Sequence, residues 1–130
     1  MKSLVEQQKI NFKHLAMRVF DTDRLVLSQS TAYQVIAEFK QTRVRFYGSE
    51  NKRYKEPLVF VAPLAINMDI YDLYPYRSLV KHFQDSGFDV YLIDWGKLTY
   101  KNYQVNFLSF IDKFIPRCIE AIQKHSKSEK

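Results

Sequence analysis

The side chains with chemical potential in this chain are few, and the most conspicuous pair is Cys118 and His125 in "IPRCIEAIQKHSKSEK". Cys118 is the only cysteine, and His125 follows it seven residues later. A thiol nucleophile needs its base within one hydrogen bond. Seven residues of helix are about two turns, roughly 10 Å along the axis, so the two side chains stand too far apart for that contact. Cys118 also falls on an apolar helical stripe, where burial raises a thiol's pKa and leaves little thiolate. The expectation for Cys118 is core packing.

Other catalytic patterns are missing. A nucleophile elbow requires G-x-S-x-G or its cysteine equivalent, because the strand-to-helix turn tolerates only small neighbours. The glycines are Gly48, Gly87 and Gly96, none so placed, and the same three exclude a phosphate-binding P-loop and a dinucleotide fingerprint. His14, His82 and His125 are widely spaced and match neither a zinc finger nor an H-E-x-x-H helix. Each is expected at the surface, and no metal or cofactor is expected. Among Asp69, Asp72, Asp85, Asp89 and Asp94, the last is the best placed for chemistry, at the carboxyl end of an expected parallel strand. Its alternative is structural, accepting N–H groups from the loop or helix start that follows.

The framework that must position these residues is of single-domain size, 130 residues with 46% hydrophobic, 15% aromatic and 26% charged side chains. That composition is globular. The apolar runs at 58–66 and 90–93 fall far short of the ~20 residues of a membrane span, and Glu6, Gln7, Gln8 and Lys9 interrupt any signal-peptide core near the start. One cysteine allows no internal disulfide, which points to a reducing cytoplasm. The net charge of +6 is spread along the chain, so it reads as solvated surface, and nucleic acid is not an expected partner.

Periodicity predicts a helix over 4–20, with Phe12, Leu15, Ala16, Val19 and Phe20 on one stripe. After the connector "DTDRLVLSQS", alternation at Tyr33, Val35, Ala37 and Phe39, then Val44 and Phe46, predicts an antiparallel hairpin with strands near 33–39 and 43–48. The polar stretch "GSENKRYKEP" is a loop. Two continuous apolar runs predict strands near 58–63 and 88–93, of the kind covered on both faces. Between them a helix near 76–86 ends at Gly87, a position suited to positive φ. A last helix near 105–124 carries Phe107, Ile111, Phe114, Cys118 and Ile122 on one stripe, flanked by Phe110, Ile115 and Ile119. Pro116 should kink or split it unless it opens a second segment.

These elements carry a resemblance. Pro63, Ile66 and Asn67 in "PLAIN", Asp72 and Leu73 in "YDLYP", Ser78, Leu79 and Val80 in "RSLV", and "GFDVYLIDWG" resemble the N-terminal part of the α/β-hydrolase core of polyhydroxyalkanoate synthases, especially the type with a second subunit. The resemblance is tight from 57 to 99 and loose in the first thirty residues. It implies an α/β fold, a partial α/β-hydrolase made of an N-terminal helical segment (1–32) and the first half of the hydrolase domain (33–130, hairpin then β-α-β-α), with strands in the order 1-2-4-3. It implies an acyltransferase that moves hydroxyacyl groups from coenzyme A thioesters onto a polyester through a covalent cysteine thioester. In the family that cysteine follows the fifth strand, with the partner Asp and His later still, so the resemblance implies a fragment lacking its triad and inactive alone. One element carries over: the loop after the third strand donates a backbone N–H to the oxyanion hole, making Ala65, Ile66 and Asn67 the candidates. Asp94, Trp95 and Gly96 are expected to shape the loop after the fourth strand.

An unpaired third strand would leave an apolar edge, so self-association, a second synthase subunit or marginal stability is expected. Acyl-coenzyme A becomes a partner only with the missing half supplied, and a polyester granule is a further expected location. The rival readings are part of an esterase or thioesterase with a Ser nucleophile, and a non-catalytic interaction module binding a synthase subunit or an anionic surface.

Overall fold

A computed structural model describes residues 31–64, 68–74, 76–96 and 106–127. The helix expected over 4–20 and its connector lie outside the described residues. The described chain forms β1 (Gln34–Phe39), β2 (Thr42–Tyr47), β3 (Leu58–Val61), a 3-10 turn (Met68–Tyr71), α1 (Leu79–Asp85), β4 (Val90–Asp94), α2 (Phe107–Ser109), a π-helical segment (Phe110–Phe114) and α3 (Ile115–Ser126). The four strands make one mixed sheet in the order β1-β2-β4-β3. β1 and β2 are an antiparallel hairpin, β2 runs antiparallel to β4, and β3 runs parallel to β4.

Several boundaries differ from the sequence reading, each for a local reason. The hairpin turns in two residues, with Lys40 at φ 58°, so β2 begins at Thr42. The third strand ends at Val61 and not 63, since Pro63 has no N–H to continue a ladder. The helix expected from 76 starts at Leu79, because the Ser78 side chain accepts the Lys81 N–H at 3.0 Å and caps it. At its other end the Phe88 N–H donates to the Phe83 carbonyl (3.1 Å) and the Gly87 N–H to the Gln84 carbonyl (3.1 Å). This is a Schellman closure. It holds Phe88 in the helix terminus, so β4 begins at Val90 and not 88. Gly87 takes φ 103°, and a Cβ there would lie 2.7 Å from Arg53 Cγ.

The last helix departs most from expectation. Phe110, Phe114, Cys118 and Ile122 are buried, whereas Phe107 and Ile111, placed on the core stripe by a 3.6-residue period, are 64% and 44% exposed. Pro116 is the cause that the geometry offers. It sits in the first turn of α3, where its ring would crowd the carbonyl four residues back and where it has no N–H to donate. The preceding turn widens to i→i+5 bonding, with the Ile115 N–H on the Phe110 carbonyl. That underwound turn opposes the angular drift of a four-residue repeat, so 110, 114, 118 and 122 stay on one side.

Side-chain alternation divides the sheet into two faces. On one, Val44, Phe46, Tyr91 and Ile93 meet α3. His125 packs edge-on against Phe46 at 4.6 Å, and its Nδ1 shares a hydrogen bond of 2.9 Å with Tyr91 Oη. On the other, Leu92 and Phe60 meet α1, with Phe60 and Phe83 rings 5.9 Å apart. β4 is buried along its whole length. The α1 face also buries an ion pair, Arg45 Nη2 to Asp94 Oδ2 at 2.8 Å, with side-chain exposures of 5% and 10%. The Tyr33 ring covers the guanidinium, 4.3 Å from its carbon.

Two outcomes are expected in urea unfolding. Arg45→Met strands the Asp94 carboxylate in the interior and should cost about 3–5 kcal/mol, while adding Asp94→Asn should restore much of the loss. Burial also raises the Cys118 thiol from 9.0 to about 11 and the Tyr47 and Tyr91 phenols from 10.0 to about 12. Groups with raised folded-state pKa values favour folding in their neutral form, so their contribution is complete below about pH 9 and is lost as pH rises toward about 12. The unfolding midpoint should fall across that window, and Cys118→Ala should flatten the lower part of the fall.

Candidate functional site

Because β3 and β4 are parallel, their carboxyl ends share one rim of the sheet, the place where open α/β sheets collect ligands. Asp94 ends β4 there, but both of its oxygens are committed. Oδ2 holds Arg45, and Oδ1 accepts the Gly96 N–H at 2.8 Å. Asp94 is therefore a buried structural anion that fixes the turn after β4. Gly96 completes that turn at φ 70°, where a Cβ would come within 2.4 Å of the Gln41 carbonyl, so only glycine fits against the β1–β2 hairpin.

Trp95 works across the rim. Its indole Nε1–H donates to the Ala62 carbonyl at 2.6 Å, and its ring meets Phe110 edge-on at 5.1 Å. The turn after β4 is thereby tied both to the end of β3 and to the helix that follows. Tyr71 does similar work one residue earlier, donating from Oη to the Val61 carbonyl at 3.0 Å. The oxyanion-loop candidates Ala65, Ile66 and Asn67 lie outside the described residues. Their flanks are described: Leu64 is half-buried and Met68 is buried.

The remaining carboxylates are structural or exposed. Asp72 is buried, accepting the Thr31 N–H (3.0 Å) and the Thr31 hydroxyl (2.9 Å), and Thr31 Oγ1 lies 3.4 Å from the capping hydroxyl of Ser78. This cluster fastens the chain ahead of the hairpin to the start of α1. Asp89 pairs with Lys52 at 2.7 Å and accepts the Ser49 N–H at 3.1 Å, which anchors the loop after β2. Asp85 forms an exposed pair with Lys81 at 2.6 Å. Asp69 accepts the Asp72 N–H at its backbone carbonyl, 3.0 Å. The structure thus spreads these carboxylates among separate duties.

Cys118 and His125 are likewise not brought together as a reactive pair. Cys118 is fully buried, between Phe110 against Trp95 at one end of the helix and His125 against Tyr91 at the other. Burial pushes its thiol up to about 11, and His125 gives its Nδ1 to Tyr91. His82 is in the last turn of α1 beside Phe83, and His14 lies outside the described residues. Among the described residues no group of three or more His, Cys, Asp or Glu side chains could hold a metal ion. No helix among them is long and apolar enough to cross a membrane. Sequence reasoning missed Tyr71, the cross-rim bond of Trp95 and the Arg45 partner of Asp94. The alternation that puts Arg45 and Asp94 on one sheet face was the available signal for the last of these.

No family model matches the chain. It is 31% identical over 91 residues to the poly(3-hydroxyalkanoate) polymerase subunit PhaC of Haloferax mediterranei, a stretch covering 68% of this chain and 18% of that protein. The PhaC subunit of Haloarcula marismortui is 27% identical over 70 residues, 54% of this chain and 15% of that protein. That of Synechocystis sp. is 31% identical over 74 residues, 57% of this chain and 20% of that protein. The matches span a fifth or less of each relative's length. The described chain is a mixed sheet with helices, of the α/β class, and over part of its length its sequence is similar to the PhaC subunits of poly(3-hydroxyalkanoate) polymerases.

Proposed function

We propose that the chain forms the first part of the α/β-hydrolase core of a polyhydroxyalkanoate synthase-like acyltransferase, supplying its sheet and the strand-end loops while the reacting residues come from polypeptide outside this sequence. The reaction is transfer of a hydroxyacyl group from a coenzyme A thioester to a polyester chain. Ala65, Ile66 and Asn67 would offer a backbone N–H to the thioester oxygen as negative charge develops on it. The rest of the hydrolase domain would carry the nucleophile, acid and base, with a second synthase subunit as a further partner, in the cytoplasm or at a polyester granule.

The observation that supports this most directly is the state of Cys118. The chain's only thiol is buried, its pKa is raised to about 11 by that burial, and His125, seven residues on, shares its Nδ1 with Tyr91. Similarity to PhaC subunits, together with a cysteine so unsuited to attack, favours a scaffolding part over a self-sufficient enzyme. The strand-end geometry agrees, since Trp95 and Gly96 brace the rim through backbone contacts and leave no free acid or base on it among Asp94, Trp95 and Gly96.

Two measurements test the reading. The purified chain mixed with 3-hydroxybutyryl coenzyme A should release no more coenzyme A than its Cys118→Ala variant, and release dependent on Cys118 would refute inactivity alone. A chimera in which this chain replaces the matched stretch of the Haloferax mediterranei PhaC subunit should retain polymer synthesis. A folded chimera that makes no polymer, while the parent does, would remove the proposal that this chain builds that part of a synthase.

A further inference from the structure

At its carboxyl end β3 passes its contact with β4 from main chain to side chain. The ladder between the two strands stops at Val61 opposite Ile93, and the next peptide, Ala62–Pro63, has no N–H. The Ala62 carbonyl is therefore the one hydrogen-bonding group that this peptide owns. Ala62 is 4% exposed, so solvent barely reaches that carbonyl, and a buried carbonyl left alone is costly. The group that meets it is the indole N–H of Trp95, at 2.6 Å.

That donor is itself held from several directions. Asp94, just before it, has both carboxylate oxygens committed, one to Arg45 and one to the Gly96 N–H. Gly96, just after it, takes φ 70° against the Gln41 carbonyl, where no side chain fits. The indole is 5% exposed and meets Phe110 edge-on at 5.1 Å. Ala62, on the accepting side, is confined to extended backbone by the proline that follows it. With the indole fixed in backbone and ring, its N–H sets the orientation of the Ala62–Pro63 peptide, and with it the direction in which the chain leaves β3.

We propose that Trp95 is a positioning residue for acyl transfer, acting through the Ala62–Pro63 peptide. The inference rests on the reading of this chain as part of a synthase-like core, in which a backbone N–H after β3 faces the thioester oxygen. Ala62 stands three residues ahead of Ala65, the first of those candidate donors. A backbone donor is not aimed by its own side chain; its direction comes from the peptides that lead to it. A misdirected N–H weakens the hold on the oxyanion more than on the neutral thioester, because the charge develops only in the transition state. The loss of the indole bond therefore falls on kcat and spares KM.

The chimeric PhaC subunit described above, assembled into its polymerase, tests this through coenzyme A release from 3-hydroxybutyryl coenzyme A. Trp95→Phe keeps a ring against Phe110 and removes the donor, and it should lower kcat on the order of tenfold or more while KM changes by less than about twofold. A benzothiophene analogue of tryptophan at position 95, with sulfur in place of the N–H, keeps the ring shape and should reproduce that loss even where Trp95→Phe folds poorly. Phe110→Leu loosens the same ring contact but keeps the donor, so it should lower the unfolding midpoint and leave kcat within about twofold. Full kcat with the analogue, or a fall in kcat that Phe110→Leu shares in proportion to its lost stability, would overturn the positioning role and leave the synthase reading standing. A folded chimera that is inactive with Trp95 in place would instead refute that reading, and the role of Trp95 with it.

Discussion

The ion pair between Arg45 and Asp94 joins the two halves of this sheet. β2 belongs to an antiparallel hairpin and β4 to a parallel pair, and their mutual ladder is the only connection between those halves within the sheet of described strands. Arg45 and Asp94 lie diagonally across it on the α1 face, buried, 2.8 Å apart. A charge in that position is costly by itself, and each partner is tolerable only because the other is there. The pair thus acts mainly as a constraint on register. Sliding β2 by one residue would turn Arg45 to the α3 face, beside Tyr91 and Ile93, carry Val44 and Phe46 off that face, and leave Asp94 without its cation.

From that constraint the rim geometry follows in steps. With Oδ2 fixed by Arg45, Oδ1 is held where the Gly96 N–H can reach it, and the backbone takes φ 70° at Gly96. Gly96 lies against the Gln41 carbonyl, and Trp95 stays on the α3 face, where its indole meets both Ala62 and Phe110. One buried ion pair, one glycine and one indole therefore set the relative positions of the ends of β3 and β4 and the entry of the last helix. A site built on this rim would inherit its precision from contacts that do no chemistry themselves.

Much of this was legible in the sequence, and the failures have specific causes. Alternation located the hairpin, and continuous apolar runs located β3 and β4, because strand burial imposes a period of two or none at all. Gly87 was readable as a helix terminator because few other residues accept its φ. Asp94 was read as an acceptor of loop N–H groups, which it is, but its Arg45 partner lies 49 positions away. Arg45 stands in "RVRFYGSENKRYK", a stretch that reads as exposed and basic. Nothing local distinguishes its buried guanidinium from that of Arg43, two residues earlier, which pairs with Glu38 at the surface. Tyr71 was invisible for the same reason: its importance lies in a carbonyl ten residues back whose direction is fixed only by strand pairing.

The register of the last helix is not legible from a single helical period, because the period changes at the π-helical turn Phe110–Phe114. Pro116 was recognised as a break, yet the break does not kink the chain away from the sheet. It is absorbed by a wider turn before α3, and the absorbed residue changes which side chains face inward. Phe110 takes the place under Trp95, while Phe107, Leu108 and Ile111 are left exposed. Cys118 stays in line with Phe114 and Ile122 beneath the sheet, in apolar surroundings that hold its proton. It occupies the buried position that a plain 3.6-residue stripe also gives it, so the shift moves its neighbours Phe107, Phe110 and Ile111 and leaves the thiol where burial raises it to about 11.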